Sequence, residues 1–351
     1  MTHKIRNLTA FGTFVLAGIS APAFAAGTTA GSTITNTVTV GYSVGGVAQT
    51  AVNASNVFTV DRKISLTVAE TGTTTTTVVP GQVAAVTTFT VTNTSNATLD
   101  LGLSVAQQVG GATQHGGVDN FDVTTPTLYV DTNTNGVYDA GTDLAVSYLD
   151  ELAADSARTV FVVANIPATR VNGDDAGVIL TAQARESGVA GTQGAVSTET
   201  TGANTAGQDT VFADTAGATD ALRDGQFSAR DDYTVSAAAL TVTKTSKVIS
   251  DPSNGTTNPK LIPGAVVEYC IQVANGAGSA PATNVAITDT LPTQTTYLAS
   301  FGVFVSGTVT GVACNADGTV TAAQTGPTIT GTIPSIAINT TRTVYFRATV
   351  D

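Results

Sequence analysis

Six residues carry the spacing in this chain that most resembles a metal site: Asp131, Asn133, Asn135, Val137, Asp139 and Asp143. They lie in the run Asp131-Thr132-Asn133-Thr134-Asn135-Gly136-Val137-Tyr138-Asp139-Ala140-Gly141-Thr142-Asp143. Oxygen-bearing side chains recur on alternate residues, Gly136 permits a tight turn, and Val137 offers its backbone carbonyl. A hard cation such as calcium takes an all-oxygen set of this kind. The run resembles the start of an EF-hand loop but has Thr142 where that loop carries a bidentate Glu, so Asp143 is expected to substitute. No helical pattern flanks it, which favours a structural clamp over a switch. The competing reading is a hairpin turn at Asn135-Gly136 with solvated acids.

Other reactive residues are few. Cys270 and Cys314 are the two cysteines. In an oxidising compartment they are expected to pair, stabilising their domain by roughly 4 kcal/mol on a chain-entropy estimate; two buried thiols are the alternative. His115 is the one histidine beyond the first 25 residues and sits in the Gly-rich run 110–117, a loop. No base is placed beside a nucleophile. No catalytic residue is assigned, and the chain is not read as an enzyme.

The elements that must hold these residues are strands. Thr, Val, Ala and Gly dominate, and branched residues favour a pleated surface. Period-2 alternation recurs, for example at Leu99, Leu101, Leu103 and Val105, whereas no window holds a 3.6-residue apolar stripe. Val160 to Ile166 is continuously apolar, as in a central strand. Residues 187–230 hold little that fills a core and read as a long loop with a short strand at Thr210 to Ala213. The expected fold is all-β: two tandem Ig-like β-sandwich domains, 61–243 and 244–351, preceded by a β extension at 26–60.

Residues 1–25 read as a secretory signal. Lys4 and Arg6 precede the apolar stretch Phe11 to Ile19, and Ala23-Phe24-Ala25 fits a cleavage site. An uncleaved anchor is the rival reading. No later run is long enough for a transmembrane span. The net charge of -12, with no basic stripe, argues against nucleic acid. The expected location is secreted, extracellular or cell-surface.

The stretch Asn284-Val285-Ala286-Ile287-Thr288-Asp289-Thr290-Leu291-Pro292, with Val242-Thr243-Lys244-Thr245, Pro263-Gly264 and Val267 to Asn275, resembles the conserved-repeat β-sandwich family of bacterial and archaeal surface proteins (the domain of unknown function numbered eleven). The resemblance covers about the last hundred residues, with a weaker echo in 61–243. It implies a stalk, array or adhesin role. It also implies that the strand Val344-Tyr345-Phe346-Arg347-Ala348-Thr349-Val350 is followed by a further Gly-Thr-x-Ile-x-Asn-Thr type strand. Such a run stands instead at Gly31 to Val40.

Internal comparison points the same way. In the first domain, Arg158 to Ile166 resembles Arg342 to Val350 and is followed by two strands, near Ala176 to Ala182 and Arg230 to Val235. Comparable runs occur at Ala30 to Asn36 and Ser55 to Val60. Ile34, Val38, Val40 and Tyr42, with Phe58 and Val60, are therefore expected to form donor strands. The expected acceptor edge is Val344, Phe346, Ala348 and Val350. Donation between molecules gives a head-to-tail homopolymer, a filament. The alternatives are strands that pair with their own first domain, a disordered tail, or a monomeric adhesin or stalk module binding a cell-surface or matrix partner.

Overall fold

The computed structural model describes residues 27–277, 279–320 and 324–351, and every regular element among them is a strand. The predicted signal segment, 1–25, lies outside the described residues. We number the principal strands in chain order and name the shorter pairings by residue. A hairpin comes first, β1 (Thr33–Val40) and β2 (Val52–Thr59), antiparallel and in continuous register from Thr33↔Thr59 to Val40↔Val52.

The first sandwich contains β3 (Leu66–Glu70), β4 (Thr76–Val78), β5 (Ala85–Asn93), β6 (Leu99–Gln107), β7 (Thr124–Val130), β8 (Tyr148–Leu152), β9 (Ala157–Asn165), β10 (Asp175–Arg185) and β11 (Gln226–Val235). One sheet runs β7-β9-β5-β3 and the other β8-β6-β10-β11-β4. Alternation does the work expected of it in β5. Ala85, Thr87, Phe89, Val91 and Asn93 point inwards and are buried, and the residues between them are half-covered. β9 is buried on both faces from Val160 to Ala164, which accounts for its continuous apolar run. Its outer face is covered through Tyr138, whose ring packs 6.0 Å from Phe161 and 4.9 Å from Tyr129.

The second sandwich contains β12 (Leu240–Ser250), β13 (Val266–Asn275), β14 (Ala282–Thr290), β15 (Thr295–Tyr297), β16 (Phe304–Gly307), β17 (Thr328–Ile336) and β18 (Thr341–Val350). Its larger sheet runs β12-β13-β18-β16, with β15 also on β18; its smaller sheet joins β14 to β17. This sandwich starts at Leu240 rather than residue 244, because β12 pairs with β13 from Leu240↔Asn275 onwards.

The two sandwiches are built on one plan. Asn93 and Asn275 mark it. Asn93 Nδ2 donates to the carbonyls of Ala97 and Leu152, at the end of β8; Asn275 Nδ2 donates to those of Ala280 and Ile336, at the end of β17. From this anchor β3 matches β12, β5 matches β13, β6 matches β14, β8 matches β17 and β9 matches β18. β7 and β16 occupy the same flank of β9 and β18. Among the described residues, the second sandwich has no counterpart of the β10–β11 hairpin.

The segment between Arg185 and Gln226 is a long loop. It contains the short strand Thr210–Phe212, paired in parallel with Arg62–Ile64. Carboxylates rather than apolar side chains organise it. Asp214 accepts the amides of Asp224 and Gly225, and Asp209 accepts the amide and hydroxyl of Thr205. Cys270 and Cys314 are joined by a disulfide across a separation of 44 residues, beside Tyr345.

Candidate functional site

The N-terminal hairpin is amphipathic but unburied. Residues directly opposite in an antiparallel pair share a face. The register therefore puts Ile34, Asn36, Val38 and Val40 on one face with Phe58, Asn56, Ala54 and Val52. The reverse face carries Thr33, Thr35, Thr37 and Thr39 opposite Thr59, Val57, Ser55 and Asn53. Such a pattern specifies one buried face, yet Val38, Val40, Val52 and Phe58 are each more than half exposed. Of the predicted donor residues, Tyr42 lies just past β1, exposed, and Val60 just past β2, where its carbonyl accepts the Gly31 amide. The hairpin pairs with neither sandwich.

Its base is tied to the first sandwich by Asn96, in the turn between β5 and β6. The Ala30 amide donates to the Asn96 carbonyl at 3.0 Å, and Asn96 Nδ2 donates to the carbonyls of Thr28 and Asp61. The link to the second sandwich leaves from the other end. Val235 closes β11 beside Asp174, at the end of the sheet where β6 reaches Gln107. Nine residues of β6 separate these ends, about 30 Å at strand rise.

The predicted acceptor edge is corrected by the structure. Val344, Phe346, Ala348 and Val350 lie on β18, which is flanked by β13 on one side and by β15 and β16 on the other. Val344, Phe346 and Ala348 are fully buried. The physical reason is visible in the first sandwich. The strand after β9 does not pair with β9; it crosses to the opposite sheet and pairs with β6. The corresponding open edge in the second sandwich is therefore β14. It is hydrogen-bonded to β17 on one side, and no described strand flanks the other. β6, in the same place, is flanked by both β8 and β10.

Beside that edge the interior is open. Leu240, Val242 and Lys244 on β12 lie opposite Asn275, Val273 and Ile271, on the core-facing side. Leu240 is 40% exposed, whereas its counterpart Leu66 is fully buried. Val285 and Ile287 of β14 are only partly covered. The floor is aromatic: Tyr269 stacks on Phe346 with ring centroids 5.3 Å apart. Lys244 Nζ sits 5.0 Å above the Tyr269 ring and 2.7 Å from the Asp289 carboxylate, so it spans from one sheet to the other across the gap.

The predicted calcium residues are gathered into one compact loop. Asp131 and Asp143 are buried. The Asp131 carboxylate accepts the amides of Asn135 and Gly136, and that of Asp143 accepts the amides of Thr132 and Asp139. Asn133 and Asn135 both turn their amides to Asp139, and these bonds, Asn133 first, hold its carboxyl below the usual range. Val137 points outwards and donates its amide to Asn135 Oδ1. All the side-chain acceptors are oxygens, and Asp139 Oδ2 accepts from both asparagines. Oxygen is the donor type that calcium takes, but here the oxygens of Asp131, Asn133, Asn135, Asp139 and Asp143 accept from backbone amides and from one another's side chains.

Sequence reading missed a second cluster. His115 Nδ1 lies 2.9 Å from Asp232 and 3.9 Å from Asp231, and Nε2 lies 3.7 Å from Glu70. The ligating atoms of His115, Asp231 and Asp232 fall within 4.8 Å of one another, close enough to share an ion. Burial alone lowers the His115 pKa, but the hydrogen bond and charge of Asp232, then Glu70 and Asp231, raise it overall. Burial pushes Asp231 up to about 7. More than a hundred residues separate His115 from Asp231 and Asp232, and 45 separate it from Glu70, so no local spacing announces the cluster.

No family model matches the chain, and no curated protein matches it. A crystal structure of a "Putative membrane anchored protein" from Corynebacterium diphtheriae aligns over 91% of this chain and 89% of that one, at 12% identity and a TM-score of 0.19.

Proposed function

We propose that this protein is the structural subunit of an extracellular filament, polymerising when the β1–β2 hairpin of one molecule completes the second sandwich of the next. The observation that carries this reading is a matched pair of defects. One hairpin has an apolar face and no core, and one sandwich has an open edge and an unfilled core beside it. Donation satisfies the backbone ladder of β14 and buries both apolar surfaces together. Six apolar donor side chains at about 1.5–3 kcal/mol each, if fully buried, offset a large association entropy.

Direction agrees as well. Placed as β10 is placed on β6, β1 runs antiparallel to β14, with its tip towards the link and its base at the Thr290 end. The donor's first sandwich then stands beyond the far end of the acceptor's second. Because the hairpin and the second sandwich leave the first from opposite ends, the contact is heterologous and propagates as a fibre. Asp131, Asn133, Asn135, Asp139 and Asp143 are the residues that would hold calcium, which would supply a rigid crosspiece to the loop beside the outer face of β9.

Negative-stain microscopy of the protein without residues 1–25 tests the reading. Rods one subunit wide are the expected result. Monomers alone at high concentration contradict it and favour a stalk or adhesin.

A further inference from the structure

The groove and the hairpin also carry enough detail to fix how they meet. We propose that the donated hairpin seats in a single register, with Phe58 over the Tyr269–Phe346 stack, Asn56 facing Lys244, and Thr39 directly opposite Thr288. This rests on the strand donation proposed above and adds the acceptor strand, the register and the residues that read it.

The first sandwich supplies the template. Tyr233, on β11, is fully buried and lies opposite Ala176 on β10; its hydroxyl donates to the Val162 carbonyl at 3.0 Å. Phe58 lies opposite Ile34 in the same way. Setting Phe58 in the place of Tyr233 puts Ile34 at Ala176, Val38 at Leu180 and Val40 at Ala182. It also puts Val52 and Ala54 at Phe227 and Ala229, which pack against the core in the first sandwich. There they cover the exposed Leu240 and Val242. The larger Tyr–Val pairing of Tyr233 with Val162 becomes Phe58 with Phe346, which has the bulk on the other partner and needs no hydroxyl acceptor.

The polar residues match under the same alignment. Asn56 takes the place of Asp231, and Lys244 that of Glu70. In the first sandwich Asp231 and Glu70 face each other closely enough to interact, with His115 between them. In the completed second sandwich an amide faces an ammonium already paired with Asp289. Asn36 and Asn56, the two polar residues on the apolar face, stand opposite each other and meet the one charged pair in the groove. A shift of two or four residues towards the start of β12 sets Asn56 against Val242 or Leu240 and leaves a buried amide without a partner, which costs about 1–3 kcal/mol for each unsatisfied group.

β10 pairs with β6 from Val178↔Gln107 to Arg185↔Asp100. β14 aligns with β6 through the pairs Leu101↔Leu149 and Val285↔Ile333. Carried across, this register sets Val40 opposite Ile287 and Thr39 opposite Thr288, both threonines on the outward face. Paired Cα atoms about 4.5–5.5 Å apart fall within disulfide range.

Cysteine trapping in the full chain without residues 1–25 tests the register. Thr39 and Thr288 are exposed surface positions, so both substitutions leave the subunit folded, checked by circular dichroism. The double variant T39C/T288C is expected to give rods and, on mild oxidation, a covalent ladder on non-reducing gels. The variant T35C/T288C, four residues out of step, is expected to give rods and no ladder. A ladder from T35C/T288C instead overturns the register while leaving donation intact. Rods without a ladder from either overturn β14 as the acceptor. A cross-linked monomer, or the absence of rods in the unmodified protein, overturns donation itself and the register with it.

Discussion

Val68 and Val242 hold the same position in two sandwiches and meet opposite fates. Each points to the core from the outermost strand of its sheet, opposite Val91 and Val273 respectively. Val68 is 3% exposed and Val242 is 67% exposed. The difference is the hairpin β10–β11, which closes the first sandwich over Val68 and has no described equivalent over Val242.

Charge at these two positions is therefore expected to act differently. Val68→Asp buries an unpaired carboxylate and should destabilise the first sandwich by about 4 kcal/mol or more, lowering its thermal transition. Val242→Asp should leave the transition of the isolated subunit within about 0.5 kcal/mol of the parent and abolish rods. Calorimetry with microscopy separates the two; rods of normal length from V242D contradict the groove as acceptor.

The shared asparagines offer a stability test. Asn275→Ala strips hydrogen bonds from the carbonyls of Ala280 and Ile336, and should cost about 2–4 kcal/mol of urea-unfolding stability in the second sandwich. Asn93→Ala should cost the first sandwich a similar amount. A loss under about 0.5 kcal/mol in either contradicts the shared plan.

The acid cluster predicts a pH dependence. Asp231 holds its proton up to about pH 7 when folded, whereas the unfolded side chain releases it near the ordinary aspartate value of 3.8. The cost of burying its charge is thus absent at low pH and complete above about 7. His115, raised when folded, contributes stability below its ordinary value of 6.5, and loses it as pH rises through the folded value. Both signs agree: the first sandwich should lose stability between pH 5 and pH 8. Asp231→Asn should flatten the Asp231 part of that slope. A transition temperature that rises over this interval in the parent contradicts the assignment.

Calcium should raise the thermal transition of the first sandwich, with chelator reversing it. Asp131→Ala should lower stability and remove the calcium response, whereas Asp317→Ala, in a turn of the second sandwich, should leave the response intact. Isothermal titration that finds no heat of calcium binding at millimolar concentration rules out the loop as a calcium site.

Much of this was legible in local patterns. Alternation marks Leu99 to Val105, and the spacing from Asp131 to Asp143 marks a loop that closes on itself. The apolar face of the N-terminal hairpin is readable because Ile34, Val38 and Val40 recur at period two. The open edge of the second sandwich was not readable. Adjacency in sequence points to β18, but in this topology the next strand changes sheets, and only the pairing of β10 with β6 exposes β14 as the open edge. The His115 cluster was hidden for the same reason: Gly110 to Gly117 carries no local signal that its histidine reaches Asp231 and Asp232. Long-range contact creates both sites, and local composition records neither.

Removing residues 26–60 is the most direct measurement. The truncated subunit keeps both sandwiches and the groove and lacks only the donor. The account predicts rods from the full chain and monodisperse monomers from the truncated one, by negative-stain microscopy and size exclusion at the same concentration. Rods of the same width and length from the truncated chain contradict it.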